Sequence, residues 1–181
     1  MTPVLVRDLL MNMLLGLTAL VVLVLAQINP VAKNNPDSVK PPGAMMLCIY
    51  WVGRDDVDLW VKPPGQDKAT GYSNKNGGVA DLVKDDLGTT DGPHYECQFA
   101  SSLPDGLWVA NVHGYSINDP EVMVHAEIRI GGEMGYRLLL ERDLTIKHKQ
   151  ERTIAQFQLR GGSVVDGSVN EAFVPLRSAG K

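Results

Sequence analysis

Basic residues are in short supply: 17 Lys and Arg stand against 21 Asp and Glu, giving a net charge of −4 over 181 residues. That balance leaves no basic face for nucleic acid. Aromatic residues make up only 6% of the chain and there are two cysteines, which excludes a disulfide-dense scaffold. The four histidines, His94, His113, His125 and His148, show no metal-ligand spacing. There is no nucleophile elbow, P-loop, zinc motif or dinucleotide fingerprint, so no enzyme activity is expected.

What the sequence lacks locally is equally informative, because residues 9–26 carry no charge at all. At about 1.5 Å rise per residue, the stretch 4–28 spans the roughly 30 Å hydrocarbon core of a bilayer as a helix. A signal peptide is the competing reading, with Val24-Leu25-Ala26 as its cleavage pattern. An h-region of about 18 residues exceeds the usual 7 to 15, and Arg7 is offset by Asp8, so a transmembrane helix over 1–28 is the expectation. Basic residues on the two sides do not decide orientation.

Asp8 needs a reason, since an acid costs about 2.5 to 3.5 kcal/mol at the centre of a membrane helix. One reading leaves it in the interface, favoured by the helix N-terminus and paired with Arg7. The other draws it below the interface to bind a travelling cation. Asp8, Asn12, Gly16 and Ala19 fall on one helical face, a polar and small-residue stripe suited to packing on other membrane helices.

The run Asp8-Leu9-Leu10-Met11-Asn12-Met13-Leu14-Leu15-Gly16-Leu17 resembles the transmembrane helix of the flagellar stator B subunit and of the TolR and ExbD energy-transducing families. The resemblance implies that Asp8 carries a proton or sodium ion. It further implies that two such helices sit inside a ring of polytopic A-type subunits, in the bacterial inner membrane with the N-terminus cytoplasmic and the body periplasmic. Arg7, directly before the acid, departs from the pattern, and the peptidoglycan-binding domain typical of flagellar B subunits is not visible.

Residues 29–43, rich in Pro, Asn and Lys, read as an extended linker. From 44 to 160 the pattern alternates with period two and turn residues recur every ten or so positions, the signature of an all-β sandwich. The clearest strand is 121–130, with Val122, Val124, Ala126, Ile128 and Ile130 on one face and His125 on the wet one. Further strands are expected at 45–52, 56–62, 78–83, 94–100, 107–115, 136–141 and 153–159. Residues 161–181 are expected as a poorly ordered tail with a short strand at 172–176. Cys48 and Cys97 both lie in strand-like segments. A disulfide between them would close a loop of about 50 residues, on the order of 4 kcal/mol in the chain-entropy model; two buried free thiols are the alternative.

Trp51, Asp56-Val57-Asp58-Leu59-Trp60-Val61, Pro64-Gly65, Gly77-Gly78, Asp85-Asp86, Gly92-Pro93 and Gly106-Leu107-Trp108-Val109 resemble the motif progression of YfaP-like bacterial β-sandwich domains. That family implies the sandwich fold and no settled activity. Asp56 and Asp58, two apart on a strand, project to the same face and, with Asp81, Asp85 or Asp86, offer oxygen ligands to calcium. The competing reading has these acids capping turns and keeping strand edges soluble. Trp51, Trp60 and Trp108 are expected in the core rather than as a sugar platform. Two functions follow as expectations. One is a B-like subunit of an ion-driven complex, dimeric, with an unknown envelope target. The other is a membrane-tethered ligand- or carbohydrate-binding or adhesion module.

Overall fold

The computed structural model describes residues 3–28, 43–132 and 135–177. The expected linker, apart from Gly43, and the end of the expected tail lie outside the described residues. The chain divides into two units, Met1–Ser38 and Val39–Lys181.

The first unit contains the helix α1, Pro3–Ile28. Pro3 opens it, where the missing N–H has no intrahelical partner to lose. The segment Pro3–Val24 is long and apolar enough to cross a membrane by length and composition, and all its side chains are exposed. At Gly16 no atom lies within 4 Å of where a Cβ would stand, so the face below Asn12 has a notch.

The second unit is a two-sheet β domain. Its strands are β1 Met45–Val52, β2 Asp56–Lys62, β3 Ala80–Leu82, β4 Pro93–Ala100, β5 Gly106–Ser116, β6 Val122–Gly132, β7 Gly135–Ile146, β8 Glu151–Arg160 and β9 Ser163–Val164. One sheet runs β3-β4-β1-β6-β7 and the other β2-β5-β8-β9, with every pairing antiparallel. Period-two alternation builds the core. Met45, Leu47, Ile49 and Trp51 of β1 and Val124, Ala126 and Ile128 of β6 meet Val57, Leu59 and Val61 of β2 and Trp108, Ala110 and Val112 of β5, all buried. Trp108 stacks on Phe157 of β8 with ring centroids 6.2 Å apart.

Three elements differ from their sequence expectation. Strand β3 is shorter than 78–83 because Gly78 takes a φ of +88° and turns the chain out of the ladder. Strand β7 extends to Ile146, since a bulge opposite Ile128/Arg129 absorbs one residue and lets pairing continue to Val122↔Ile146. Residues 161–177 are not a loose tail. β9 pairs with the end of β8, and Asn170 bridges Gln156. The 172–176 segment forms no strand; instead Val174 N–H donates to Thr153 Oγ1 at 3.1 Å and Leu176 N–H to Glu151 Oε1 at 2.9 Å. Leu176 is buried with Trp60, Ala69 and Val109 in a second small cluster on the outer face of the four-stranded sheet.

Cys48 and Cys97 stand directly opposite each other in the β1/β4 register and are joined as a disulfide, separated by 49 residues in sequence. Closing a loop of that length restricts the unfolded chain by on the order of 4 kcal/mol.

Candidate functional site

Strand β2 is an edge of its sheet, so its outward backbone groups need partners from elsewhere. Val61 finds them in Thr70, N–H to O at 3.0 Å and O to N–H at 2.7 Å. Leu59 finds them in side chains of the facing sheet: its N–H donates to Glu96 Oε2 at 2.8 Å, and its carbonyl accepts from Gln98 Nε2 at 2.8 Å. Strand β4 therefore points His94, Glu96 and Gln98 inward at alternate positions, all buried. Tyr95, Cys97 and Phe99 take the other face.

This arrangement gathers carboxylates. One oxygen each of Asp58, Asp85 and Glu96 lies within 4.8 Å of the others. Asp56, Asp58 and Asp85, with Tyr72, Leu87 and Tyr115, line a cavity of about 160 Å³. Burial pushes the Glu96 carboxyl up to about 9; the N–H groups of Leu59 and Asp86 resist, and the charges of Asp58 and Asp85 add to the rise. Asp56 is pushed up to about 6 by burial first and then by Asp58 and Asp85, against His113 and Lys149. Asp56 Oδ1 and Asp85 Oδ1 are enclosed without a hydrogen-bond partner among the described residues.

Counter-charge is sparse. Lys75 Nζ sits 3.0 Å from Asp85 Oδ2. Lys149 holds its Nζ 4.0 Å above the Tyr115 ring and has a φ of 60°, the left-handed region that side chains other than glycine's avoid. His113 Nδ1 lies 2.9 Å from Asp58 Oδ2, and Arg177 approaches the other nitrogen. A guanidinium only donates, so Nε2 accepts, and the proton on Nδ1 goes to Asp58. Carboxylates in this excess over cations take up protons or a hard cation that prefers oxygen ligands. Asp58, Asp85 and Glu96 are the residues that would hold such a cation, with Asp56 beside Asp58 and Asp85 in the cavity lining.

The structure thus brings together Asp56, Asp58 and Asp85, and leaves Asp81 and Asp86 outside the cavity lining. Asp81 is exposed on β3. Asp86 bonds Lys84 at 2.7 Å and His94 at 2.9 Å, and gives only its backbone N–H to Glu96. His125 lies on the outer face of its sheet, held up in pKa by its hydrogen bond to Asp143 and then by Glu127 and Glu141. His148 accepts the Ile117 N–H at 3.2 Å. Trp51, Trp60 and Trp108 are buried. Sequence reasoning missed Glu96, His113 and Arg177. The available signal was the inward polar series His94, Glu96, Gln98, which has the same period as the apolar series beside it.

No protein-family model matches this chain, and no curated protein or solved structure shows significant similarity to it.

Proposed function

We propose that this chain is the single-span, B-like subunit of a proton- or sodium-driven complex of the bacterial inner membrane. Asp8 carries the ion, and a periplasmic sandwich engages an envelope target. The observation that carries this reading is the shared face of Asp8, Asn12, Gly16 and Ala19 on a largely apolar 26-residue helix. A carboxylate one turn before an amide and two small residues suits a site completed by neighbouring helices, because small residues allow close backbone approach. The likeness of that helix to stator B, TolR and ExbD subunits supports the same assignment. The complex requires a polytopic A-type partner in excess over a pair of these chains.

Gly16→Cys tests the assembly. In membranes containing the partner, oxidation is expected to trap disulfide-linked dimers through position 16, and a multi-span protein is expected to co-purify in excess. Monomers alone at every detergent concentration would count against it.

A second reading, a tethered binding module with α1 as anchor, is favoured by the carboxylate cavity. Calcium at about 1 mM, in the affinity range of extracellular modules, is then expected to raise the thermal midpoint. The rise should be larger at pH 8 than at pH 5, because the ion must displace protons from Glu96 and Asp56. Asp85→Asn should remove the effect. A midpoint indifferent to calcium at both pH values would exclude a calcium role for the cavity.

A further inference from the structure

We propose that the outer face of the four-stranded sheet carries a second, oppositely charged site, which binds an anionic saccharide: a sugar ring bearing a carboxylate or a phosphate. The site is a cavity of about 410 Å³, within the size range of small-molecule pockets. Trp60 of β2 is its floor. The loop after β2 lies flat on the indole at Gly71, where a Cβ would come within 2.5 Å of Trp60 Cε3; only glycine permits that approach. Tyr72 rises beside it, edge-on to Trp60 with centroids 5.4 Å apart. Leu176 completes the apolar part, and Lys68, Asn74 and Arg177 supply the polar rim.

The charge of this cavity sets its ligand. Among the described residues no acid lines it, although the chain as a whole is acidic. Among the described residues neither Lys68 nor Arg177 pairs with a carboxylate; Arg177 contacts His113 Nε2. A planar fork with unused donors beside a lone ammonium matches a carboxylate or phosphate oxygen set. The half-buried Tyr72 ring, supported from beneath by the buried Trp60 and Leu176, is the wall that meets the carbon skeleton of a ring. The carboxylate cavity lies next door, and Tyr72 lines both. Arg177, His113 and Asp58 connect the two, so an anion that draws Arg177 also loosens the hydrogen-bonding partner of Asp58.

The inference rests on the preceding reading only in taking the envelope as the source of the sugar; the binding chemistry is independent of ion flux. The experiment uses the full-length protein in detergent, titrated with glucuronate, glucose 6-phosphate, glucose and inorganic phosphate, and followed by calorimetry. One or both anionic sugars should bind, glucose and inorganic phosphate should bind far more weakly, and the ratio of the first two identifies carboxylate or phosphate as the source. Binding should weaken as salt rises. Lys68→Gln, on an exposed side chain, and Arg177→Gln should each weaken it roughly 10- to 100-fold, the range for a charge-assisted hydrogen bond. Asp8→Asn should bind as wild type, so failure of the motor reading leaves this result untouched. Absence of binding by both anionic sugars at about 10 mM, equal binding of inorganic phosphate, or unchanged affinity in Lys68→Gln would overturn the proposal.

Discussion

Asp8→Asn is expected to leave the protein in the membrane at wild-type level and to abolish its work. The substitution keeps the size and helical preference of the side chain and removes the carboxylate that, under the proposed function, binds and releases the ion. In a low-dielectric site that charge is stabilised only by the ion and by polar partner groups, so an amide cannot replace it. Asp8→Glu retains the charge but moves it further from the helix axis, and partial function is expected. An interfacial Asp beside Arg7 contributes at most about 1 kcal/mol, so both substitutions would be nearly silent if α1 were only an anchor. The measurement is ion flux or cellular phenotype with the polytopic partner present, alongside membrane levels of each variant. Full activity from well-expressed Asp8→Asn removes the motor reading.

The β domain is expected to lose stability as pH rises from about 5 to 9, the reverse of a protein held by salt-bridged carboxylates. Glu96 titrates near 4.5 when unfolded and at about 9 when folded, and Asp56 moves from 3.8 to about 6. Between those limits the folded state holds protons that the unfolded chain has released. Stability therefore falls with pH, by up to about 1.4 kcal/mol per pH unit for the deeply buried Glu96 and by less for Asp56, which solvent partly screens. The contribution of Glu96 is fully present below about 4.5 and is lost as pH approaches 9. Glu96→Gln should flatten the slope. It should also lower stability at pH 5 by about 1 to 3 kcal/mol, because one amide oxygen cannot accept from both Leu59 and Asp86. Thermal midpoints across the pH range, without divalent ions, decide the matter. A midpoint that rises through this window, or an unaltered slope in Glu96→Gln, contradicts a protonated Glu96.

Local rules made much of the fold legible. The absence of charge over 9–26 is enough for a helix of membrane length, because length and apolarity are the whole criterion. The alternation of Val122 to Ile130 and of Asp56 to Lys62 places each strand and its two faces. The turn residues between strands give the boundaries, and size and apolarity mark Trp51 and Trp108 as core, whereas Trp60 is buried in the small cluster on the outer face of the four-stranded sheet. Asp56 and Asp58 were recognisable as neighbours for the same reason: two residues apart on a strand means one face.

Everything that depends on which face meets what was decided by tertiary structure. The 94–100 segment alternates His94, Glu96, Gln98 with Tyr95, Cys97, Phe99, and hydrophobicity alone turns the second set inward. The structure turns the first set inward, because the free edge of β2 offers Leu59 N–H and O, and buried polar backbone groups must be paired. That choice places Glu96 against Asp58 and Asp85 and puts Cys97 opposite Cys48. The path of 161–177 was likewise invisible locally. Its Gly and polar residues read as a tail until the outer face of β5 and β8 presents Thr153 and Glu151 to its N–H groups. Period-two patterning records that two faces differ, and by itself it determined the helix, the strands and their alternation. The facing of each strand, the disulfide, the carboxylate cavity and the basic cavity beside it come from residues on separate elements of the chain, and only the folded chain brings them together.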